Sequence, residues 1–143
     1  MLKVSTPNGD FWRRFAYDGY GETRRGAKWK PGDPDTFKTR GRAWPIFAGE
    51  RGEYELSAGR PATQHLASMA AAANDGGMIA EQVWDGKAPT GRPGVTAGEG
   101  TFSATPLAWS HAQLVRLAWS IDAGRPIERP SVVACHYTGI CGP

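Results

Sequence analysis

The sequence predicts an all-α chain of three to four helices carrying long loops. Two observations lead there: apolar residues recur at helical spacing in two segments, and helix-breaking clusters close both of them. A third is composition. Glycine and proline number 19 and 11 in 143 residues, which implies shaped loops between a few regular elements.

Along the chain, residues 1–43 read as irregular or extended. Phe11, Trp12, Phe15, Tyr17 and Tyr20 alternate loosely with arginine and glycine, without a 3.6-residue period. Residues 50–58 (ERGEYELSA) form a first helix candidate, with glutamates in its opening turn, Gly59 as its stop and Gly52 as an internal weakness. A second follows. Pro61 suits its first turn, Leu66, Met69, Ala70 and Ala73 share one face, and Asn74-Asp75-Gly76-Gly77 ends it. The third has Thr105 as N-cap and Pro106 as first residue. Its apolar face is Leu107, His111, Leu114, Val115, Ala118 and Ile121, and Gly124 stops it. Between the second and third helices, Gly76 to Ala104 is a long loop rich in aromatic and acidic residues, and a loop that long is usually functional.

Composition excludes several classes. A length of 143 residues leaves room for one domain with a modest core, and the ordinary apolar share makes it a folded one. No stretch is long and apolar enough to span a bilayer, so a membrane is not an expected partner. The residues Met1-Leu2-Lys3-Val4-Ser5 lack a signal peptide's apolar run, so the chain is expected to be soluble, with its localisation open. The net charge of +3 gathers only at Arg24, Arg25, Lys28 and Lys30 around Trp29. Such interleaving could stack on single-stranded nucleic acid, but a solvated loop before the turn Pro31-Gly32-Asp33-Pro34 explains it as well. Nucleic acid is therefore not an expected partner. His65, His111 and His136 are scattered, so no metal site is expected. His111, on an apolar stripe, reads as a satisfied core histidine. Cys135 and Cys141 could close a small disulfide loop, and free thiols fit the spacing equally.

Chemistry concentrates in the long loop. Glu81 stands among Met78, Ile79, Val83 and Trp84, where a shielded carboxylate could act as a general base on one water. Gln82 could orient that water or a sugar hydroxyl. Six tryptophans are many for this length, and an indole offers a face for sugar C–H groups and an N–H for a hydroxyl. Trp119 reads as core or a helix–helix contact. Trp109 falls about 160° from Leu107 by helical geometry, off the core stripe, and is a site candidate.

Four ordered segments then carry a resemblance: WRRFAYDGYGE (12–22), GRAWPIFAGERGEYELSAG (41–59), MIAEQVWD (78–85) and AGEGTFSATPLAWSHAQLVRLAWS (97–120). Together they resemble the last part of the catalytic domain of bacterial glucoamylases and glucodextranases, glycoside hydrolase family 15. The resemblance implies that residues 1–143 are one partial catalytic domain, a fragment of an (α/α)6 barrel. It implies inverting hydrolysis of α-glucans from non-reducing ends, releasing β-D-glucose, without a cofactor. The substrate-side partner would be an α-glucan or maltooligosaccharide. Glu81 would be the general base, with Trp109 close to the sugar subsites. Arg42, Trp44, Glu50 and Arg51 would line the cleft, and Trp84, Gln82 and Glu99 would neighbour the base. Glu81, Trp84 and Trp109 should then converge on one concave face.

Two departures accompany the resemblance. Ala80 stands where proline is expected before the base, and no segment matches the one that carries the general acid. Asp18 and Glu22 match a stretch near the cleft but not the acid itself. The chain alone is therefore expected to be inactive and to leave apolar surface for the rest of the barrel or for self-association. The alternative is a non-catalytic carbohydrate-binding or interaction module.

Overall fold

The computed structural model describes residues 2–23, 26–27, 41–86, 93–139 and 141. The chain begins with a hairpin. Strands β1 (Lys3–Thr6) and β2 (Gly9–Trp12) pair antiparallel, with Val4 opposite Phe11. Val4 and Phe11 face the core, while Lys3 and Asp10 form an ion pair at the surface. The fold is thus not purely all-α. The sequence concealed the hairpin because each strand is only four residues long, too short for alternation to stand out.

Four helices follow, α1 (Pro45–Ser57), α2 (Thr63–Ala71), α3 (Ala108–Asp122) and α4 (Ser131–Thr138). Helix α1 starts five residues before the expected Glu50, because Pro45 takes its first turn with the φ a helix needs. It ends as expected at Gly59, whose φ of 69° lets the Arg60 N–H reach the Glu55 carbonyl at 2.8 Å. In α2, Pro61 lies just outside the helix, and Ala62 is the cap. The Asn74–Gly77 breaker acts as expected, with the Asn74 side chain accepting the N–H groups of Gly76 and Met78 at 3.0 Å.

Helix α3 departs from its sequence pattern. It starts at Ala108, capped by Leu107 rather than by Thr105. Its buried residues are Ser110, Gln113, Leu117 and Ser120, whereas Val115 and Ala118 of the expected apolar face are exposed. Trp119, expected in the core, is 64% exposed. The reason lies in α1. A Cβ on Gly49 would sit 2.4 Å from Gln113 Cγ, and one on Gly52 would sit 2.8 Å from both Leu117 methyls. These glycines draw the two helices so close that small and polar groups fit the seam. Glu53 of α1 locks it, accepting Ser120 Oγ at 3.0 Å and Arg116 Nε at 3.4 Å.

Leu117 completes a core with Val4, Phe11, Ala43, Ala48, Ala62, Met69, Ala72 and Val83, so α1, α2, α3 and the hairpin share one centre. Leu117→Ala should cost about 2–5 kcal/mol, because the rigid glycine-lined seam cannot collapse into the space. Val115→Ala on the exposed side should stay within about 0.5 kcal/mol. Urea unfolding of the two variants measures the contrast. Equal losses would mean that Leu117 does not anchor the seam. No residue of α4 is buried, and Cys135 closes onto Cys141 in a disulfide. Among the described residues no helix is long and apolar enough to cross a membrane.

Candidate active site

Residues 78–85 form neither helix nor strand, yet neighbouring segments hold them from several sides. Glu81 N–H donates to Ala104 O and Val83 N–H to Ala43 O, both at 2.9 Å. Trp84 N–H donates to Glu99 O, and Gln82 O accepts Thr101 N–H, again at 2.9 Å. At the head of the segment, Ile79 N–H donates to His111 Nε2 at 3.0 Å while Ile79 O accepts Leu107 N–H. His111 is thus a satisfied histidine, as the sequence indicated, and it ties α3 to the loop. Isolated bridges join Ala43, Val83 and Gly100 in a narrow β-like strip across the loop's centre. This bonding gives a carboxylate on a loop a fixed direction, which a general base requires.

The half-buried Glu81 accepts a hydrogen bond on Oε2 from the Tyr20 hydroxyl at 2.8 Å. Tyr20 lies 5.9 Å from the Trp44 ring, and the Arg14 guanidinium lies over both, 4.9 Å from Tyr20 and 5.0 Å from Trp44. Arg14 is held in turn by Asp18 through two bonds of 2.7 Å, and Asp18 also accepts Tyr20 N–H. Asp18, Arg14 and Tyr20 make a chain of support for Glu81: a buried carboxylate fixes an arginine, the arginine lies over the Tyr20 and Trp44 rings, and Tyr20 donates to Glu81.

Burial, and next the bond to Glu81, push the Tyr20 hydroxyl up to about 12. The sign follows from the ordinary tyrosine value near 10. The folded state holds the proton that the unfolded chain has already lost, so Tyr20's stabilisation is complete below about pH 10 and disappears as pH rises towards 12. Phenolate absorbance should show one tyrosine titrating near 12, and Tyr20→Phe should remove that late step.

The remaining residues singled out from the sequence are placed differently from one another. Trp44 joins the Glu81 cluster but is only 5% exposed, and its indole N–H is buried without a partner. Gln82 is fully buried. It donates to Tyr20 O at 3.1 Å, and Gly21, at a φ of 124°, leaves it space that a Cβ would fill. Trp84 is fully buried too, donating to Gly94 O and standing edge-on to Phe102. Arg42 lies 4.8 Å from the Trp84 ring and bonds Asp85, Thr23 O and Glu22 O. Trp84, Gln82 and Arg42 therefore face inward and support the loop rather than lie open to a ligand. Glu50 and Arg51 are exposed on α1, where Arg51 pairs with Glu55 one turn on, the ordinary surface contact for that spacing. Glu99 lines a cavity of about 520 Å³ beside the C-terminal end of α2, together with Asn8, Asn74, Ala80 and Thr101. Glu81 is not among its lining residues. Trp109 is 67% exposed on the first turn of α3, about 160° around the helix from His111. The basic residues Arg24, Arg25, Lys28 and Lys30, with Trp29, lie outside the described residues.

Sequence reasoning placed Asp18 near the cleft but gave no role to Arg14 or Tyr20, although both lie in the segment WRRFAYDGYGE. The available signal was weak: an arginine four residues before an aspartate, in a stretch rich in aromatic side chains.

The comparisons with known proteins decide the family. The model of glycosyl hydrolases family 15 matches residues 2–119. The chain belongs to that family. A glucoamylase from Clostridium sp. (strain G0005) is 40% identical over 136 residues, which is 95% of this chain and 17% of that protein. A solved bacterial glucoamylase complexed with acarbose is similar in structure as well, with a TM-score of 0.82 and 37% identity. That match covers 96% of this chain and 18% of the other. This family-15 chain thus spans less than a fifth of the relatives it matches. Its described part is one piece of a fold whose solved relative is an (α/α)6-barrel enzyme.

Proposed function

We propose that residues 1–143 form the C-terminal portion of a glucoamylase-type catalytic domain, with Glu81 as the general base of an inverting α-glucan hydrolysis. The observation that carries this reading is the Tyr20–Glu81 bond of 2.8 Å on a loop pinned from several sides, within a family of glycosyl hydrolases. An inverting glycosidase activates water with one carboxylate while a carboxylic acid roughly 6.5–9.5 Å away protonates the leaving oxygen. Glu81 suits the first role. The tyrosine hydroxyl occupies one carboxylate oxygen and fixes its plane, so the other can take the proton of a water attacking the anomeric carbon. Trp109 supplies a sugar-facing ring at the open side of α3, and Trp44 backs the Tyr20 ring. Arg42, Trp84 and Gln82 act as positioning residues through the loop.

In this reading the leaving-group acid comes from a part of the barrel that this chain does not supply. Asp18, which belongs to the same cluster, has its oxygens committed to Arg14 and to Tyr20 N–H. That commitment also favours a second reading, in which the chain binds maltooligosaccharides without hydrolysing them.

Glucose release from maltooligosaccharides separates the two. The purified chain is assayed alone and with the remainder of a family-15 catalytic domain, for which the Clostridium glucoamylase lacking its matching segment serves. Release of β-glucose only in the mixture supports the enzyme reading. Binding without release in either preparation supports the binding module, and neither binding nor release overturns both.

A further inference from the structure

The cavity of about 520 Å³ beside the C-terminal end of α2 has no part in the catalytic reading. Three distant stretches wall it: the hairpin turn at Asn8, residues 71–78, and residues 94–101. Ala80 lines it while the next residue, Glu81, turns to Tyr20, so cavity and candidate base share one loop without sharing side chains. The walls are fixed by the protein's own contacts. Asn8 Nδ2 donates to Ala71 O at 2.8 Å, joining the hairpin to α2. Gly98, at a φ of 92°, approaches the hairpin turn so closely that a Cβ would sit 2.7 Å from Thr6 Oγ1 and 2.8 Å from Asn8 Cβ. The Asn74 side-chain oxygen is taken by the Gly76 and Met78 N–H groups, which leaves its NH2 as a donor. Asn8 keeps its side-chain oxygen as an acceptor. The carboxylates of Asp75 and Glu99 have no hydrogen bond or ion pair among the described residues.

We propose that this cavity holds a sugar unit of an α-glucan, as a binding site separate from the catalytic residues. Its volume falls within the roughly 300–1,000 Å³ of small-ligand sites. Its chemistry fits a neutral polyol. A pyranose carries hydroxyls that both donate and accept, and neighbouring hydroxyls can donate together to one carboxylate, as Asp75 and Glu99 would require. The amide of Asn74 donates in return, and Met78 and Ala80 give apolar contact to the ring's C–H groups. Other ligand classes fit worse. Among the described residues no lysine, arginine or histidine lines the cavity, so a phosphate or a uronate would meet only negative charge. An apolar ligand would strip water from two carboxylates and replace it with nothing. A chain held here and in the catalytic cleft gains a second contact, which raises the effective concentration of substrate at the first. That the sugar belongs to an α-glucan rests on the proposed function, whereas the polarity of the cavity does not.

A local probe is built in. Of the three methionines, Met69 is fully buried in the core and Met78 lines the cavity, so a methyl-labelled chain reports binding there by NMR, with Met78→Leu assigning the signal. The 143-residue chain is titrated with maltoheptaose in the presence of EDTA. The expected result is a saturable shift of the Met78 methyl while Met69 stays still. The double variant Asp75→Ala/Glu99→Ala should raise the midpoint by about tenfold or more, the loss of hydrogen bonds to charged groups. Ala71→Phe, which places a ring at the cavity wall, should do the same, and Glu81→Gln should leave the midpoint unchanged. Asp75, Glu99 and Ala71 are exposed, so circular dichroism and urea midpoints should match the unaltered chain. A Met78 signal unmoved by maltoheptaose overturns the proposal, as does a shift indifferent to both cavity variants. A shift produced by calcium chloride alone, with none from maltoheptaose in EDTA, would assign the carboxylates to a cation and also overturn it. A carboxylate-dependent Met78 shift without glucose release from the complemented mixture keeps this site and removes the catalytic reading. Release without any Met78 response does the reverse.

Discussion

In the complemented assembly, Glu81→Gln should lower glucose release by about a hundred- to ten-thousand-fold, the range that general-base assistance usually provides. The substitution keeps the size of the side chain and an oxygen able to accept the Tyr20 hydroxyl, so the pinned loop should hold its shape. What disappears is the capacity to take a proton from water. Maltooligosaccharide binding should therefore persist while the rate of release falls. Tyr20→Phe should act differently. It frees Glu81 to rotate and removes one hydrogen bond, so its effect should be smaller, on the order of tenfold, and should come with an altered pH profile of release. Measuring release rates and oligosaccharide binding on both variants decides the matter. If Glu81→Gln retains most of the activity, the base is another residue.

Asp85→Ala should be the most damaging substitution for stability, at about 3–5 kcal/mol. Asp85 is 4% exposed and receives two guanidinium groups, Arg42 Nη1 at 2.7 Å and Arg13 Nη2 in a close contact. Burial holds the Arg42 guanidinium below its ordinary basicity, and the charge of Asp85 offsets that effect. Without the carboxylate, a charge at 3% exposure keeps the backbone oxygens of Glu22 and Thr23 and the face of Trp84 but loses its direct ion-pair partner. Such a loss is a large part of the 5–15 kcal/mol typical of a domain. It should also loosen the loop from its far end, because Asp85 closes the segment that carries Glu81. Urea unfolding of Asp85→Ala and Asp85→Asn checks this, with the amide expected to lose less. A loss below about 1 kcal/mol for the alanine variant would show the two arginines to be satisfied without Asp85.

Much of the site was legible in the order of the segments. The string MIAEQVWD singled out Glu81 as the candidate base through the family resemblance, which its apolar neighbours and long loop alone did not do. The inward direction of Trp84, Gln82 and Arg42 was not legible. Each is a residue type that can either bind a sugar or support a loop, and only the partners Gly94, Tyr20 and Asp85 distinguish the two roles. Tyr20 was hidden for a related reason: sixty-one positions separate it from Glu81, and no local period records a contact across that distance.

By itself the sequence determined three of the four helical segments, with α4 unassigned, their stops at Gly59 and at Asn74–Gly77, and the family to which the ordered segments point. These depend on local rules, such as backbone geometry at glycine and proline, and on the order of motifs. Tertiary structure alone decided which face of α3 is covered, where Trp119 lies, and which side chains meet Glu81. Burial is a property of two surfaces, and the glycines of α1 reversed what the pattern of α3 implied when read without its neighbour.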